Sequence, residues 1–203
     1  TRTPIEAYTF KLYPSGHFLI CLQDPFGNYQ ARAVFPEPCD HLHIEVELIA
    51  RLEVINPFDF FFEESAQHYP FEYSPTLKKE LEPYLEKEPP IPSFLAFADQ
   101  ISTEKIRTID FLVEVNRRVN EALSYEIRLN PGVQSCETTL ERGAGSCRDF
   151  SWFMVQLFRH FGLAARFVSG YSIQLRPDEK PIEGPMGVVK DVTDLHAWVV
   201  DYV

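Results

Sequence analysis

Apolar and polar residues alternate with a period of two through much of residues 7–62. Tyr8-Thr9-Phe10-Lys11-Leu12, His17 to Leu22 and Leu42-His43-Ile44-Glu45-Val46-Glu47-Leu48 are short runs separated by turn clusters such as Asp24-Pro25-Phe26-Gly27-Asn28. That is the pattern of strands joined by tight turns. In the third run Ile44, Val46 and Leu48 point one way and His43, Glu45 and Glu47 the other, as in a half-buried antiparallel strand. Several such strands together predict a small β-sandwich.

The pattern then changes. Ser74-Pro75 opens a short helix running to Leu85, with proline at a favourable first-turn position. Glu88-Pro89-Pro90-Ile91-Pro92 follows, and three prolines there exclude both helix and central strand. A boundary near this point divides the chain into an N-terminal β domain with a connecting helix, residues 1–88, and a second domain, residues 89–203.

The second half mixes periods. Ile109, Leu112, Val115, Val119 and Ala122 recur at helical spacing and predict an amphipathic helix over about Thr108–Leu123. Tyr125, Ile127 and Leu129 alternate as a short strand closed by Asn130-Pro131-Gly132, and a small helix over Glu137–Arg142 leads into Gly143-Ala144-Gly145-Ser146. From Cys147 to Phe161 a wide apolar stripe (Phe150, Phe153, Met154, Leu157, Phe158, Phe161) predicts a helix buried on most sides, with Gly162 at its C-terminus. Ala165–Tyr171 and Leu195–Val203 read as strands flanking a polar, proline-containing excursion.

Composition narrows the function. With 45% hydrophobic and 24% charged residues the chain is globular. A net charge of −11 repels a phosphate backbone, and Lys78-Lys79 sits among Glu80, Glu82 and Glu86, so nucleic acid is not an expected partner. No apolar run approaches the ~20 residues of a membrane span. Four cysteines are too few for a disulfide scaffold and form no CxxC pair, which leans toward a reducing cytoplasm. Cys39-x-His41-x-His43 offers three ligand types in a turn-rich stretch and reads as surface or core rather than a metal site. The first residue is Thr1 rather than Met, so a trimmed or partial sequence is expected.

One cysteine stands apart. Cys147 follows a Gly-Ala-Gly-Ser turn and begins the buried helix. Free N–H groups and partial positive charge at a helix start favour thiolate over thiol, and the same N–H groups can hold an oxyanion. Taken alone, a cysteine is more often a small core residue. A thiolate also needs a base. His160 lies at the far end of the same helix, and His17, His41, His43 and His68 belong to the β half, which leaves His196 on the apolar, alternating run Asp194-Leu195-His196-Ala197-Trp198-Val199. A helix-start cysteine followed by a strand-borne histidine is the order a papain-like thiol site requires.

Three blocks, Gly145-Ser146-Cys147-Arg148-Asp149-Phe150, Gly162-Leu163-Ala164-Ala165-Arg166-Phe167-Val168-Ser169-Gly170-Tyr171 and Asp194-Leu195-His196-Ala197-Trp198, resemble the core of the transglutaminase-like superfamily. More narrowly, they are similar to a bacterial branch described as candidate cysteine proteases. Gln23-Asp24-Pro25-Phe26-Gly27-Asn28 and Asn56-Pro57-Phe58-Asp59-Phe60 are similar to the β domain that precedes that core. The resemblance implies an α+β protein: an antiparallel β-sandwich-like domain, then a papain-like core with its nucleophile helix packed on an antiparallel sheet. It also implies a Cys-His-Asp triad acting on peptide or protein amides, by hydrolysis or transamidation and without a cofactor.

In the family the acid follows on the strand after the histidine, and no such stretch occurs before Val203. The expectation is that this Asp lies beyond Val203; the alternative is a non-catalytic interaction protein that keeps the fold. Asp201 is five positions from His196 and falls on the opposite strand face, while Asp191 and Asp194 precede the histidine. Tyr125 and Gln134 are candidate oxyanion donors, Trp198 a candidate cleft wall, Arg148 a candidate substrate contact, and Asp149 a partner for the helix dipole.

Overall fold

The computed structural model describes residues 3–52, 60–89, 91–176 and 188–203. Residues 56–59 of the Asn-Pro-Phe-Asp-Phe motif, Pro90 and residues 177–187 of the polar excursion lie outside the described residues. The chain forms two compact units, Thr1–Phe60 and Phe61–Val203. The proline-rich stretch at 88–92 falls within the second.

In the first unit β1 (Ile5–Tyr13), β2 (Phe18–Gln23), β3 (Tyr29–Val34) and β4 (His43–Ala50) form two separate antiparallel ladders, β1 with β4 and β2 with β3. Asp24 organises the β2–β3 turn, its carboxylate accepting the Phe26 and Asn28 N–H groups. Lys11 pairs across the other ladder with Glu45 at 2.6 Å. Leu12 is the one buried side chain among the unit's described residues. A sandwich closes two inner faces on a shared core, and the described residues here do not form one.

The second unit holds the core. β5 (His68–Tyr69) precedes α1 (Pro75–Glu80) and α2 (Glu82–Leu85). The Ser74 side chain accepts the Leu77 N–H, capping α1 as its sequence predicts. α3 (Pro92–Ala98) corrects the expectation that the prolines exclude helix: Pro92 occupies the first turn, where its missing N–H costs nothing. β6 (Ile106–Arg107) pairs with β5 and leads into α4 (Thr108–Ala122). β7 (Ser124–Tyr125) is shorter than the alternation to Leu129 implies, because only Ser124 and Tyr125 find a ladder partner. α5 (Cys136–Arg142), β8 (Ala144–Gly145), α6 (Cys147–His160), β9 (Ala164–Gln174) and β10 (Val192–Tyr202) complete the unit.

Helix α6 is the centrepiece. Asp149, Phe153, Val155 and Leu157 are wholly buried, and Ser151, Gln156 and Phe158 nearly so, which takes up most of its circumference. It packs against the antiparallel β9–β10 pair, and against α4 and α5. Phe111, Val115 and Val119 of α4 enter the same core, where Tyr69 stacks on Phe111 at 3.7 Å between ring centroids. Gly162, at φ 83°, takes the left-handed conformation that ends α6 and turns the chain into β9.

Candidate active site

Gly143 closes α5 in the left-handed region (φ 58°), and the chain then pairs briefly with β7, Ala144 against Ser124 and Gly145 against Tyr125 in parallel register. Ser146 is the N-cap of α6 and Cys147, half-buried, its first residue. Among the described residues no acceptor takes the Cys147 N–H, as expected of the first donor of a helix.

Asp149 holds this turn in place. Its carboxylate is fully buried and accepts from six donors. They are Arg128 Nε (2.9 Å) and Nη2 (2.7 Å), the Gln134 backbone N–H (2.8 Å) and Nε2 (3.1 Å), and the Ser146 N–H (2.8 Å) and hydroxyl (2.7 Å). Burial pushes the carboxyl up, but Arg128, then the Gln134 and Ser146 donors, outweigh it and hold the group well below the usual carboxylate range. Gly145 is dictated by the same contact: a Cβ there would lie 2.8 Å from Asp149 Cβ.

The route from Cys147 to His196 is set by lengths. Fourteen residues of α6 rise about 21 Å. The chain turns at Gly162 and β9 runs back along the helix, so Ala164 to Gly170 returns about 20 Å. The two lengths nearly match, and Gly170 pairs with His196 in the β9–β10 register. Ala197, buried at 4% exposure, and Val199 face the core, whereas His196 remains exposed. The Trp198 ring stacks near His196, with centroids 6.4 Å apart and planes at 25°. It also covers Gly170, where a Cβ would lie 2.9 Å from Trp198 Cη2.

Tyr125 links the two elements electrostatically. It is 60% exposed and its ring meets Phe150 edge-on at 6.2 Å. Its phenol is pushed up first by lost hydration, then by the negative charges of Cys147 and Asp194. His196 lies two residues from Asp194 on the same strand face.

The other candidates are committed elsewhere. The Gln134 amide nitrogen donates to Asp149 and to the Ala144 carbonyl (3.4 Å), which leaves neither N–H for a substrate oxygen. Arg148 Nη2 donates to the Arg128 and Asn130 carbonyls, both at 3.0 Å, rather than standing free for a carboxylate. Asp191 accepts the Arg176 N–H at 2.9 Å, and Asp194 the Leu195 N–H at 2.8 Å. Asp201 lies where burial pushes its carboxyl up, on the strand face opposite His196. Arg128, the residue on which the turn depends, is missed by the sequence reading; its one signal is a lone cation between the apolar Ile127 and Leu129.

No group of three His, Cys, Asp or Glu side chains is placed to hold a metal ion among the described residues. No helix among them is long and apolar enough to cross a membrane. Cys136 is buried, and burial followed by the Glu88 charge pushes its thiol up to about 12.

A family model described as the transglutaminase-like superfamily matches residues 95–203, more than half of the chain. Comparison with curated proteins finds no match. Among solved structures the chain is similar to one described as "a Putative Cysteine Protease from Cytophaga hutchinsonii", at 14% identity and a TM-score of 0.63. That alignment covers 98% of this chain, which spans 62% of the other's length. At such identity the likeness speaks for the fold.

Proposed function

The chain belongs to the transglutaminase-like superfamily, and from that premise we propose that it performs thiol-dependent acyl transfer on peptide or protein amides, with the chemistry carried by residues 89–203. One observation carries the reading: Cys147 heads a buried helix with its own N–H unclaimed, and that helix packs on the strand pair that bears His196.

The His196 imidazole takes the Cys147 proton, and the thiolate attacks the amide carbon. A C–S bond forms and the carbonyl oxygen becomes an oxyanion, which the Cys147 N–H receives; one such donor contributes about 2.7–4 kcal/mol in comparable sites. The intermediate collapses with cleavage of the C–N bond, and the imidazolium gives its proton to the departing amine. Water or a second amine, deprotonated by the same imidazole, then attacks the thioester and restores the thiol. Tyr125 adds a phenolic donor beside the thiol, and Trp198 walls the imidazole.

The test is activity of the full chain against glutamine-amide and peptide-amide panels, with iodoacetamide labelling near pH 6. Cys147→Ala is expected to abolish product formation by at least about a thousandfold, and Cys147 to label faster than the exposed Cys21 and Cys39. Equal product from wild type and Cys147→Ala would overturn the reading. A second reading, a non-catalytic interaction protein with the same fold, rests on the two-stranded ladders of the first unit, whose edge strands can pair with a partner. It predicts that equality.

A further inference from the structure

We propose that Tyr125, Ile127 and Leu129 form an apolar rail that receives alternate apolar side chains of an extended peptide, on the acyl side of the carbonyl presented to Cys147. This rests on the acyl-transfer reading above and specifies its substrate class.

The rail begins at the thiol. Tyr125 is paired with Gly145, the Glu126 N–H donates to the Gly145 carbonyl at 2.9 Å, and the Tyr125 phenol feels the Cys147 charge. Beyond Tyr125 the side chains divide by parity. Glu126 pairs with Arg142 at 2.7 Å and Arg128 turns in to Asp149. Tyr125, Ile127 and Leu129 are left outside, 60%, 84% and 91% exposed.

The segment is not loose. Arg128 also donates to the Asn130 and Gly132 carbonyls, at 3.2 and 2.8 Å, and Arg148 to the Arg128 and Asn130 carbonyls. A pinned segment that buries the Arg128 side chain and leaves its apolar ones outside reverses the usual preference. Contiguous apolar groups held in water in this way mark a binding surface.

The occupant follows from period and length. Residues 125, 127 and 129 repeat every second position, which matches the side chains on one face of an extended peptide. Four steps of chain reach about 13 Å, enough to accompany three to four residues of a strand. The acyl side is the part that stays attached in the thioester, so contacts to it serve both halves of the reaction.

The test compares two peptidyl chloromethyl ketones of equal length on the full chain, acetyl-Leu-Gly-Leu and acetyl-Ser-Gly-Ser. Each loses chloride as the Cys147 sulfur forms its C–S bond, and mass spectrometry locates the adduct. Wild type is expected to react roughly tenfold faster with the leucine reagent. The double variant Ile127→Ser/Leu129→Ser should bring that ratio toward one, while iodoacetamide, too small to reach the rail, still labels Cys147 in both proteins. A ratio near one in wild type, or a ratio that survives the double substitution, overturns the inference alone; a rail covered by a second copy or another segment gives that result. Failure of all three reagents to label Cys147 overturns the acyl-transfer reading and this inference with it.

Discussion

Arg128 meets Asp149 through two parallel hydrogen bonds, Nε to Oδ2 at 2.9 Å and Nη2 to Oδ1 at 2.7 Å, in the first turn of the helix that Cys147 begins. A charge buried this deeply is costly unless geometry and further donors compensate. Here four more hydrogen bonds from Gln134 and Ser146 do so, and the result fixes the backbone on both sides of the thiol.

Removing one partner leaves the other charge uncompensated. Asp149→Ala or Arg128→Ala is expected to lower stability by about 3–5 kcal/mol, measured by urea unfolding. Arg128→Lys should recover only part of this, because an ammonium cannot reproduce the two-pronged contact.

The same carboxylate predicts an acid limb. Its pKa in the folded chain lies below the ordinary 3.8, so the unfolded chain binds the proton first as acid is added. The stabilisation is complete above about pH 5 and is lost progressively as pH falls toward the folded pKa. Unfolding free energy measured between neutral pH and pH 3 should fall more steeply in wild type than in Asp149→Asn; identical slopes would contradict the pairing.

Two glycines are expected to respond differently to alanine. In Gly145→Ala the new methyl meets Asp149 Cβ at 2.8 Å, close to the backbone of a residue held by six hydrogen bonds. It should cost about 1–3 kcal/mol and also slow Cys147 alkylation. In Gly170→Ala it meets the edge of the Trp198 ring at 2.9 Å, a side chain that can tilt. Stability should change less, and the shift should be visible in tryptophan fluorescence and in turnover.

Cys136 supplies an internal control. With its thiol pushed up to about 12, first by burial and then by Glu88, it should be the slowest of the four cysteines to react with iodoacetamide at pH 8. Glu88→Gln removes the smaller cause and should speed it only modestly. Peptide-level mass spectrometry reads both.

The second unit was largely legible in the sequence, because its helices carry strong periodic signals. Val115 and Val119 mark α4, and the stripe from Phe153 to Phe158 marks α6, within a residue or two of their ends. The place of Cys147 at the head of α6 was legible for a local reason, its position between a glycine turn and an apolar helix. What pattern could not supply was long-range polar pairing. Arg128 and Asp149 stand 21 positions apart with no periodic relation, and nothing in the pattern around Gln134 marks its amide as engaged by Asp149. The β half is ambiguous in a different way: period two is the same for a sandwich and for separate ladders, and only a shared core, where Leu12 is the one buried side chain among the unit's described residues, tells them apart. Tyr125, Ile127 and Leu129 alternate as a strand would, yet only the first lies in a ladder.

The near-equal lengths of α6 and the first part of β9 have an evolutionary corollary. One helical turn added to α6 would lengthen it by about 5 Å against β9, and one residue lost from the paired part of β9 would turn every later side chain to the other face. Insertions and deletions should therefore be scarce in relatives between Cys147 and Gly170. Divergence in size should instead collect outside this hairpin-like span, where extra residues leave its calibration untouched.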